Sequence, residues 1–199
     1  MQDSVLTGIP VQYKSITEET NKLSFNMNSD LYTGSLLKTL AASKTSGRIL
    51  ELGTGGGLAT SWIREGMDQQ SRLITIENNA ALLEIAKQQL ADPRIDFILA
   101  DGYAWLNAYA GEKFDLIFAD AMPGKFDLFE ETIALLKPGG FYVVDDMLPQ
   151  PNWPNGHAER VDDFIIRLES KKDLVLTKMN WSTGVVVAVK RSNEIGIKR

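Results

Sequence analysis

Short apolar runs alternate with longer segments of helical periodicity along most of the chain. The short runs are rich in β-branched and aromatic residues and predict strands at 48–52, 73–77, 95–100, 114–119 and 140–145. Apolar residues at helical spacing predict helices at 30–43, 58–67, 80–90, 103–109, 125–136 and 158–170. Strands that alternate with helices are typical of a parallel sheet built from βαβ units.

The end of the chain departs from this alternation. Two β-rich runs, 173–181 and 183–191, are separated only by Ser182, which permits antiparallel pairing but no crossover. "LKPGG" at 136–140 predicts the end of a helix followed by a tight turn, because proline cannot continue a helix. The predicted fold class is therefore α/β: a Rossmann-like, seven-stranded, mostly parallel, doubly wound sheet with a C-terminal antiparallel hairpin and helices on both faces.

Length and composition predict one domain over residues 1–199. The polar, weakly patterned residues 1–29 are interpreted as an arm or lid, and 30–199 as the core of that domain. The chain has no cysteine, which rules out disulfides, thiolate metal sites and a cysteine nucleophile. A net charge of −5 disfavours extensive nucleic-acid binding. With neither a signal-peptide pattern nor an apolar run of about 18 residues, we expect a cytoplasmic protein that does not enter membranes.

A glycine-rich loop, "GTGGG" at 53–57, joins the first predicted strand to the following helix. In a doubly wound sheet this loop lies at the carboxyl edge, where ligands bind, and glycines allow a ligand to approach the backbone. A tight turn without a ligand is the simpler alternative. The dinucleotide fingerprint requires a small residue at Leu58, and Glu51 would repel a pyrophosphate. The loop instead favours a ligand that carries an ammonium or sulfonium group.

The acid-x-Gly-x-Gly-x-Gly pattern from Glu51 to Gly57 resembles the first motif of the class I S-adenosylmethionine-dependent methyltransferases. The resemblance implies that Glu51 and the loop backbone bind the amino-acid end of the cofactor, with the following helix N-terminus near its carboxylate. The cofactor-binding set that it implies is Glu51, Gly53, Thr54, Gly55, Gly57, Glu77, Asn78, Asp101, Gly102 and Asp120.

Two acids in this set have an alternative role as helix caps. Glu77 ends the second predicted strand, where a carboxylate can accept hydrogen bonds from both ribose hydroxyls, or it caps the next helix. Asn78 or Asn79 would serve better as that cap. Asp101 lies beside the adenine according to the family resemblance, but an ordinary helix cap would look the same in the sequence.

Further carboxylates end the fourth and fifth predicted strands: Asp120, Asp145 and Asp146. Because neighbouring parallel strands lie about 4.8 Å apart, these side chains can meet around one point. Clustered carboxylates repel one another, and a hard divalent cation is the usual resolution. Here the resemblance narrows to the catechol and caffeoyl-CoA O-methyltransferase family over roughly residues 30–190. It implies that Asp120, Asp145 and Asp146 bind Mg²⁺ or another divalent ion.

The chain departs from this family pattern in two places. Pro123 occupies the position where the family often has a lysine proposed as the base, and the nearest lysine is Lys125. Lys125 either reaches the site from a lengthened turn or is a solvated residue at a helix start. Asp146 replaces a common asparagine, which adds a negative charge. The loop 147–157, with Trp153 and His157, is the predicted wall or lid of an acceptor pocket.

The predicted function is transfer of a methyl group from S-adenosylmethionine to a hydroxyl of a small, catechol-like acceptor, assisted by a divalent cation. Asp120 and Lys125 are the candidate catalytic residues. The alternatives are a transfer-RNA hydroxyuridine O-methyltransferase of the same family, a nucleotide-binding protein without catalysis and a nicotinamide-dependent oxidoreductase. The missing dinucleotide fingerprint argues against the last. Relatives in the family include dimers, so a homodimer is compatible with the resemblance.

Overall fold

A computed structural model describes residues 6–151 and 153–192, and a seven-stranded sheet forms its centre. The strands β1 to β7 are Arg48–Leu52, Arg72–Glu77, Ile95–Leu99, Phe114–Ala119, Leu136–Val144, Leu174–Met179 and Val185–Lys190. Their order is β3-β2-β1-β4-β5-β7-β6, and β7 runs antiparallel to both of its neighbours. The predicted fold class is confirmed. The ends of the predicted domain, 1–5 and 193–199, lie outside the described residues.

Helices cover both faces of the sheet. The helices α1 to α8 are Tyr13–Lys22, Leu31–Ala42, Leu58–Gly66, Ala80–Gln89, Gly102–Ala108, Met122–Lys125, Phe129–Ala134 and His157–Ser170. Successive residues of β1 point to opposite faces: Leu50 and Leu52 belong to one buried cluster, and Ile49 belongs to the other. Both clusters are apolar, which explains why the central strands read as continuous hydrophobic runs. In the part of the chain described, no helix is long and apolar enough to span a bilayer.

Helix α1 was missed by the sequence analysis. It lies within the segment interpreted as an arm, and its buried residues are Ile16 and Thr20, spaced four apart. This stripe is too short and too polar to stand out as an apolar period. The role of the segment as a lid stays a prediction.

The predicted helix 125–136 is wrong in its first part. The chain forms the short α6, a turn, and then α7, because Leu128 in the turn has a φ of +52°, which is left-handed and not helical. Pro123, with a ψ of 135°, and Gly124, with a φ of +90°, distort α6 itself. Strand β5 also starts earlier than predicted, at Leu136. Leu136 of β5 pairs with Phe114 of β4, and the next paired residue of β5 is Phe141. The "KPGG" residues 137–140 therefore bulge out between two paired positions.

Helix α1 is packed tightly on the glycine loop. A Cβ at Gly56 would lie 2.1 Å from Cγ2 of Thr20, and that threonine is fully buried. The Thr20 hydroxyl donates to the carbonyl of Ile16 and accepts a hydrogen bond of 2.9 Å from Nδ2 of Asn28. The close approach therefore connects α1, the glycine loop and the segment that follows α1.

We expect Gly56→Ala to destabilise the protein by about 1–3 kcal/mol, because the new methyl group overlaps the Thr20 methyl group in a packed interior. Thr20→Ser removes only that methyl and keeps the hydroxyl, so Gly56→Ala/Thr20→Ser should recover most of the loss. Urea unfolding of the three variants measures both effects. An unchanged stability in Gly56→Ala would show that α1 is not tightly docked on the loop.

Candidate functional site

A cavity of about 460 Å³ opens at the carboxyl ends of β1, β4 and β5. Segments that are distant in sequence line it: the residues after α1, the glycine loop, the ends of β4 and β5, the loop before α8, and the turn of the C-terminal hairpin. Among the lining residues are Phe25, Met27, Ser29, Gly53, Gly55, Asp120, Lys125, Asp145, Asp146, Trp153, His157 and Thr183. The sheet edge predicted from the glycine loop is therefore the edge that carries the cavity.

Three carboxylates meet in this cavity. Asp120 follows β4, Asp145 and Asp146 follow β5, and one oxygen from each lies within 4.8 Å of the others. Asp146 adopts a φ of +53°, a left-handed conformation that aspartate tolerates better than most residues. The backbone N–H of Asp146 donates to the hydroxyl of Thr183 at 3.4 Å. Strand ends thus bring together the three predicted metal ligands.

Burial makes ionisation of the carboxyl groups in this cluster unfavourable. Loss of hydration raises the pKa of Asp120 to about 7, and the nearby charge of Lys125 opposes that rise. The pKa of Asp145 is raised well above its usual range, again by burial first and then by the charge of Asp120. Oδ1 of Asp145 is buried and has no hydrogen-bond partner. An added cation would relieve each of these costs at once.

The residues present fit a divalent cation. Carboxylate oxygens are the ligands that Mg²⁺ and similar hard cations prefer, and the unpartnered oxygen of Asp145 is available to bind one. The cluster offers oxygen ligands only, since His157 is the only histidine of the chain and the chain has no cysteine.

The protein's own chain explains two of the loop glycines. A Cβ at Gly53 would lie 2.4 Å from the carbonyl oxygen of Asp120, so the close neighbour is the backbone that carries the first metal-ligand candidate. A glycine is required at position 56 because the methyl group of Thr20 leaves no space for a Cβ, as described above. Gly53 and Gly55 line the cavity, with the ring of Phe25 packed against Gly55. Close packing within the chain is thus a further reason for these glycines, beside the ligand approach and the turn geometry expected from the sequence.

Glu51 lies beneath the glycine loop and does not line the cavity. Its Oε2 accepts hydrogen bonds of 2.5 Å from the hydroxyls of Thr60 and Thr75, and Thr75 also pairs with the hydroxyl of Thr54. The side chain is fully buried, and this burial raises the pKa of Glu51 to about 7. Oε1 of Glu51 has no partner. The residue therefore joins β1, β2 and α3 and keeps one acceptor atom free.

The predicted ribose and adenine residues occupy the next strand ends. Glu77 accepts hydrogen bonds from the backbone N–H groups of Gly55, Asn78 and Asn79, at 2.8 to 2.9 Å. Asn79 supplies the cap of α4, as the sequence suggested. Asp101 caps α5 through the N–H of Ala104, while a Cβ at Gly102 would lie 2.7 Å from Pro123. The cofactor contacts of Glu77, Asn78, Asp101 and Gly102 stay predictions.

Lys125 is in the cavity, not in solvent. It is 4% exposed, so the alternative of a solvated helix-start residue is wrong. His157 lies beside it, packed between Trp153 and Phe126 with ring centroids 4.6 and 5.3 Å away. Burial and the charges of Lys125 and Arg160 lower the pKa of His157. The loop 147–157 thus forms a cavity wall as predicted, with Asn152 outside the described residues.

Sequence reasoning missed several lining residues. Phe25, Met27 and Ser29 come from the segment "FNMNSD", which has no periodicity to mark it, and the Ser29 hydroxyl lies 3.4 Å from Oδ2 of Asp120. Thr183 comes from the turn of the C-terminal hairpin. Trp181 in the same turn is a packing residue, with its ring 5.1 Å from that of Tyr32. Only a fold-level view of which turns meet at this edge could have found these residues.

Comparison with known proteins agrees with this geometry. Residues 49–140 match the family model described as a methyltransferase domain. The catechol O-methyltransferase of Mycobacterium tuberculosis is 32% identical over 121 residues, 58% of this chain and 54% of that protein. A putative O-methyltransferase of Mycobacterium avium is 35% identical over 117 residues, 56% of this chain and 53% of that protein. The matched region thus spans about half the length of these curated relatives.

Solved structures establish the fold over nearly the whole chain. The O-methyltransferase TomG from Streptomyces achromogenes, in complex with SAM, aligns with a TM-score of 0.81 at 24% identity, covering 95% of this chain and 93% of its own. The O-methyltransferase from Bacillus cereus, in complex with SAH, aligns with a TM-score of 0.79 at 20% identity, covering 94% of each chain. The fold is therefore that of the Rossmann-like S-adenosylmethionine-dependent methyltransferases. The resemblance to the O-methyltransferases of the catechol and caffeoyl-CoA type is confirmed.

We expect Glu51→Gln to stabilise the protein relative to the natural chain as the pH rises. Below about pH 4.5 Glu51 is protonated in both folded and unfolded states, and the two proteins should be similar. Between pH 4.5 and about 7 only the unfolded state ionises, so the natural protein loses on the order of 1 kcal/mol of stability per pH unit. Urea unfolding at pH 4.5, 6 and 7.5 measures the difference, and a constant difference would show that Glu51 is not protonated in the fold.

Proposed function

We propose that this protein is an S-adenosylmethionine-dependent O-methyltransferase that acts on a hydroxyl of a small, aromatic acceptor with the assistance of a divalent cation. One observation carries the proposal: the three carboxylates Asp120, Asp145 and Asp146 open into the same cavity as Gly53 and Gly55. A cofactor on the glycine loop and an acceptor at the carboxylates would therefore be neighbours.

The glycine loop and its neighbours supply the cofactor half of the site. Helix α3 begins at Leu58, so its N-terminal N–H groups favour the carboxylate of a methionyl group placed on the loop. Oε1 of Glu51, which has no partner among the described residues, and the carboxylate of Glu77, which accepts a hydrogen bond from the N–H of Gly55, place hydrogen-bond acceptors beside the loop, which suits an ammonium. Gly55 itself lies at the cavity beside the ring of Phe25.

The aspartate cluster supplies the metal half of the site. Asp120, Asp145 and Asp146 would bind a divalent cation, and Lys125 balances part of their charge. Such a cation, when bound, supplies Lewis acidity that makes a hydroxyl easier to deprotonate. Asp120 stands at the junction of the two halves, because its backbone touches Gly53 and its side chain belongs to the cluster.

Aromatic and basic groups shape the acceptor side. Trp153 and Phe126 provide flat apolar walls that exclude water and suit an aromatic ring. Lys125 can donate to the acceptor oxygen. His157, whose lowered pKa leaves its imidazole neutral near pH 7, can receive a proton from the acceptor. The side chains on this wall thus bind the acceptor, orient it and handle its proton.

A small acceptor fits this site better than transfer RNA does. The net charge of the chain is −5, and the cavity carries a cluster of carboxylates, both of which repel a phosphate backbone. The cavity volume of about 460 Å³ is in the range of small-molecule sites. An acceptor with the dimensions of a catechol could occupy the acid-rich half.

We expect S-adenosylmethionine to bind with a dissociation constant on the order of micromolar, and NAD not to bind measurably, because the loop lacks the dinucleotide spacing. Isothermal titration calorimetry of the purified protein with each ligand tests both statements. Binding of NAD without S-adenosylmethionine would overturn the assignment of the glycine loop.

Asp145→Asn should weaken Mg²⁺ or Mn²⁺ binding by about 10–100-fold and abolish most methyl transfer, because a buried charged ligand becomes a neutral amide of the same size. Affinity for S-adenosylmethionine should change by less than about threefold, since the proposed cofactor contacts come from the glycine loop and Glu77 and not from Asp145. Asp163→Asn, an exposed change on α8, is the matched control. Equal loss of cofactor and metal binding would point to a role of Asp145 in the fold.

A further inference from the structure

Among the described residues, the ammonium group of Lys125 makes no hydrogen bond or ion pair, and its aromatic neighbour is the ring of Phe126, whose centroid lies 5.5 Å from Nζ. Lys125 is 4% exposed and lines the cavity. A buried lysine normally pairs with an acid or a carbonyl oxygen. The free donors of Lys125 therefore face the cavity, where an acceptor oxygen would lie.

The turn that carries Lys125 is held in an unusual conformation. Gly124 has a φ of +90°, and Leu128 has a φ of +52°, which is rare for a bulky residue. Hydrogen bonds close the turn: the N–H of Gly124 donates to the carbonyl of Asp127 at 2.7 Å, and the N–H of Phe126 donates to that of Met122 at 3.1 Å. Strained backbone of this kind persists only where its surroundings enforce it, and it is concentrated at functional sites.

Tyr142 is the anchor of this turn. It is fully buried in the middle of β5, and its hydroxyl donates to the carbonyl oxygen of Gly124 at 2.6 Å. That carbonyl belongs to the peptide unit that leads directly into Lys125. Burial raises the pKa of Tyr142 well above its usual value, so the phenol remains a donor across the working pH range. The ring is fixed by Phe129, with centroids 5.7 Å apart.

We propose that Tyr142 is a positioning residue that holds the ammonium of Lys125 at the acceptor end of the cavity, where Lys125 binds the acceptor oxygen. This inference rests on the proposed function for the role of the acceptor, but the placement of Lys125 by Tyr142 is independent of it. Tyr142 itself lies in the sheet and does not line the cavity. It acts on the site through one backbone carbonyl.

The kinetic test uses Tyr142→Phe, which removes one hydroxyl and leaves the ring in place. We expect kcat for methyl transfer to a catechol probe to fall about tenfold or more, because a small misplacement of a reacting group has a large effect on rate. The affinity for S-adenosylmethionine, measured by calorimetry, should stay within about twofold. Tyr109→Phe is the matched control: it also removes a tyrosine hydrogen bond to a backbone carbonyl, that of Glu112, outside the cavity.

A double-mutant cycle separates positioning from a general effect on folding. If Tyr142 acts through Lys125, Tyr142→Phe should change kcat by less than about twofold in a Lys125→Met background. A tenfold loss in both backgrounds would mean that Tyr142 supports the site in some other way, which would overturn the proposal.

A labelling experiment tests the placement of Lys125 without any activity. Acetic anhydride labels lysines according to exposure, and peptide mass spectrometry reads each site in the whole chain. Labelling of Lys125 should accelerate at least about fivefold in Tyr142→Phe and not in Tyr109→Phe, with Lys14, whose side chain is 87% exposed, as the internal reference. Unchanged labelling would overturn the proposal even in an active enzyme. Faster labelling in a protein that transfers no methyl group would instead refute the proposed function and leave the placement of Lys125 by Tyr142 intact.

Discussion

The repulsion among buried carboxylates is the constraint around which this structure is arranged. Glu51 and Asp145 are nearly or fully inaccessible to water, and the partly buried Asp120 and Asp146 lie beside Asp145. No apolar core gains stability from such groups, because each must lose its hydration. In the fold, two hydroxyls donate hydrogen bonds to Glu51. The aspartates have one lysine near them and an open cavity on the remaining side. The arrangement suits the binding of positive charge.

The glycine loop contacts several other parts of the chain in the same region. It touches helix α1 at Gly56, the backbone after β4 at Gly53, and the carboxylate of Glu77 at Gly55. Each contact comes from a different part of the chain, and each leaves no space for a side chain or supplies a hydrogen bond. Gly53 thus joins the loop directly to the backbone of Asp120.

The sheet and the acidic cluster could be predicted from sequence because both depend on periodicity and topology. Once β4 and β5 were recognised as parallel neighbours, Asp120 and Asp145 had to share an edge. The turn at 122–128 could not be predicted, because a left-handed Leu128 violates the usual preference and is imposed by tertiary contacts. Helix α1 was missed because its docking relies on a threonine methyl against a glycine, which leaves no apolar pattern. The position of Lys125 depends on that turn, so the sequence left open whether Lys125 reaches the site or is solvated.

The cavity is completed by residues from both ends of the described chain. Ser29 reaches Asp120 from the segment after α1, while Thr183 supports Asp146 from the last hairpin. About 150 residues of sequence separate these two walls, and such long-range contacts form late in folding. During synthesis on the ribosome, the glycine loop and the first aspartate emerge well before the hairpin that closes the site. A nascent chain can thus assemble most of its sheet while the cavity is still open, and the wall that carries Thr183 is added only once the final strands are released.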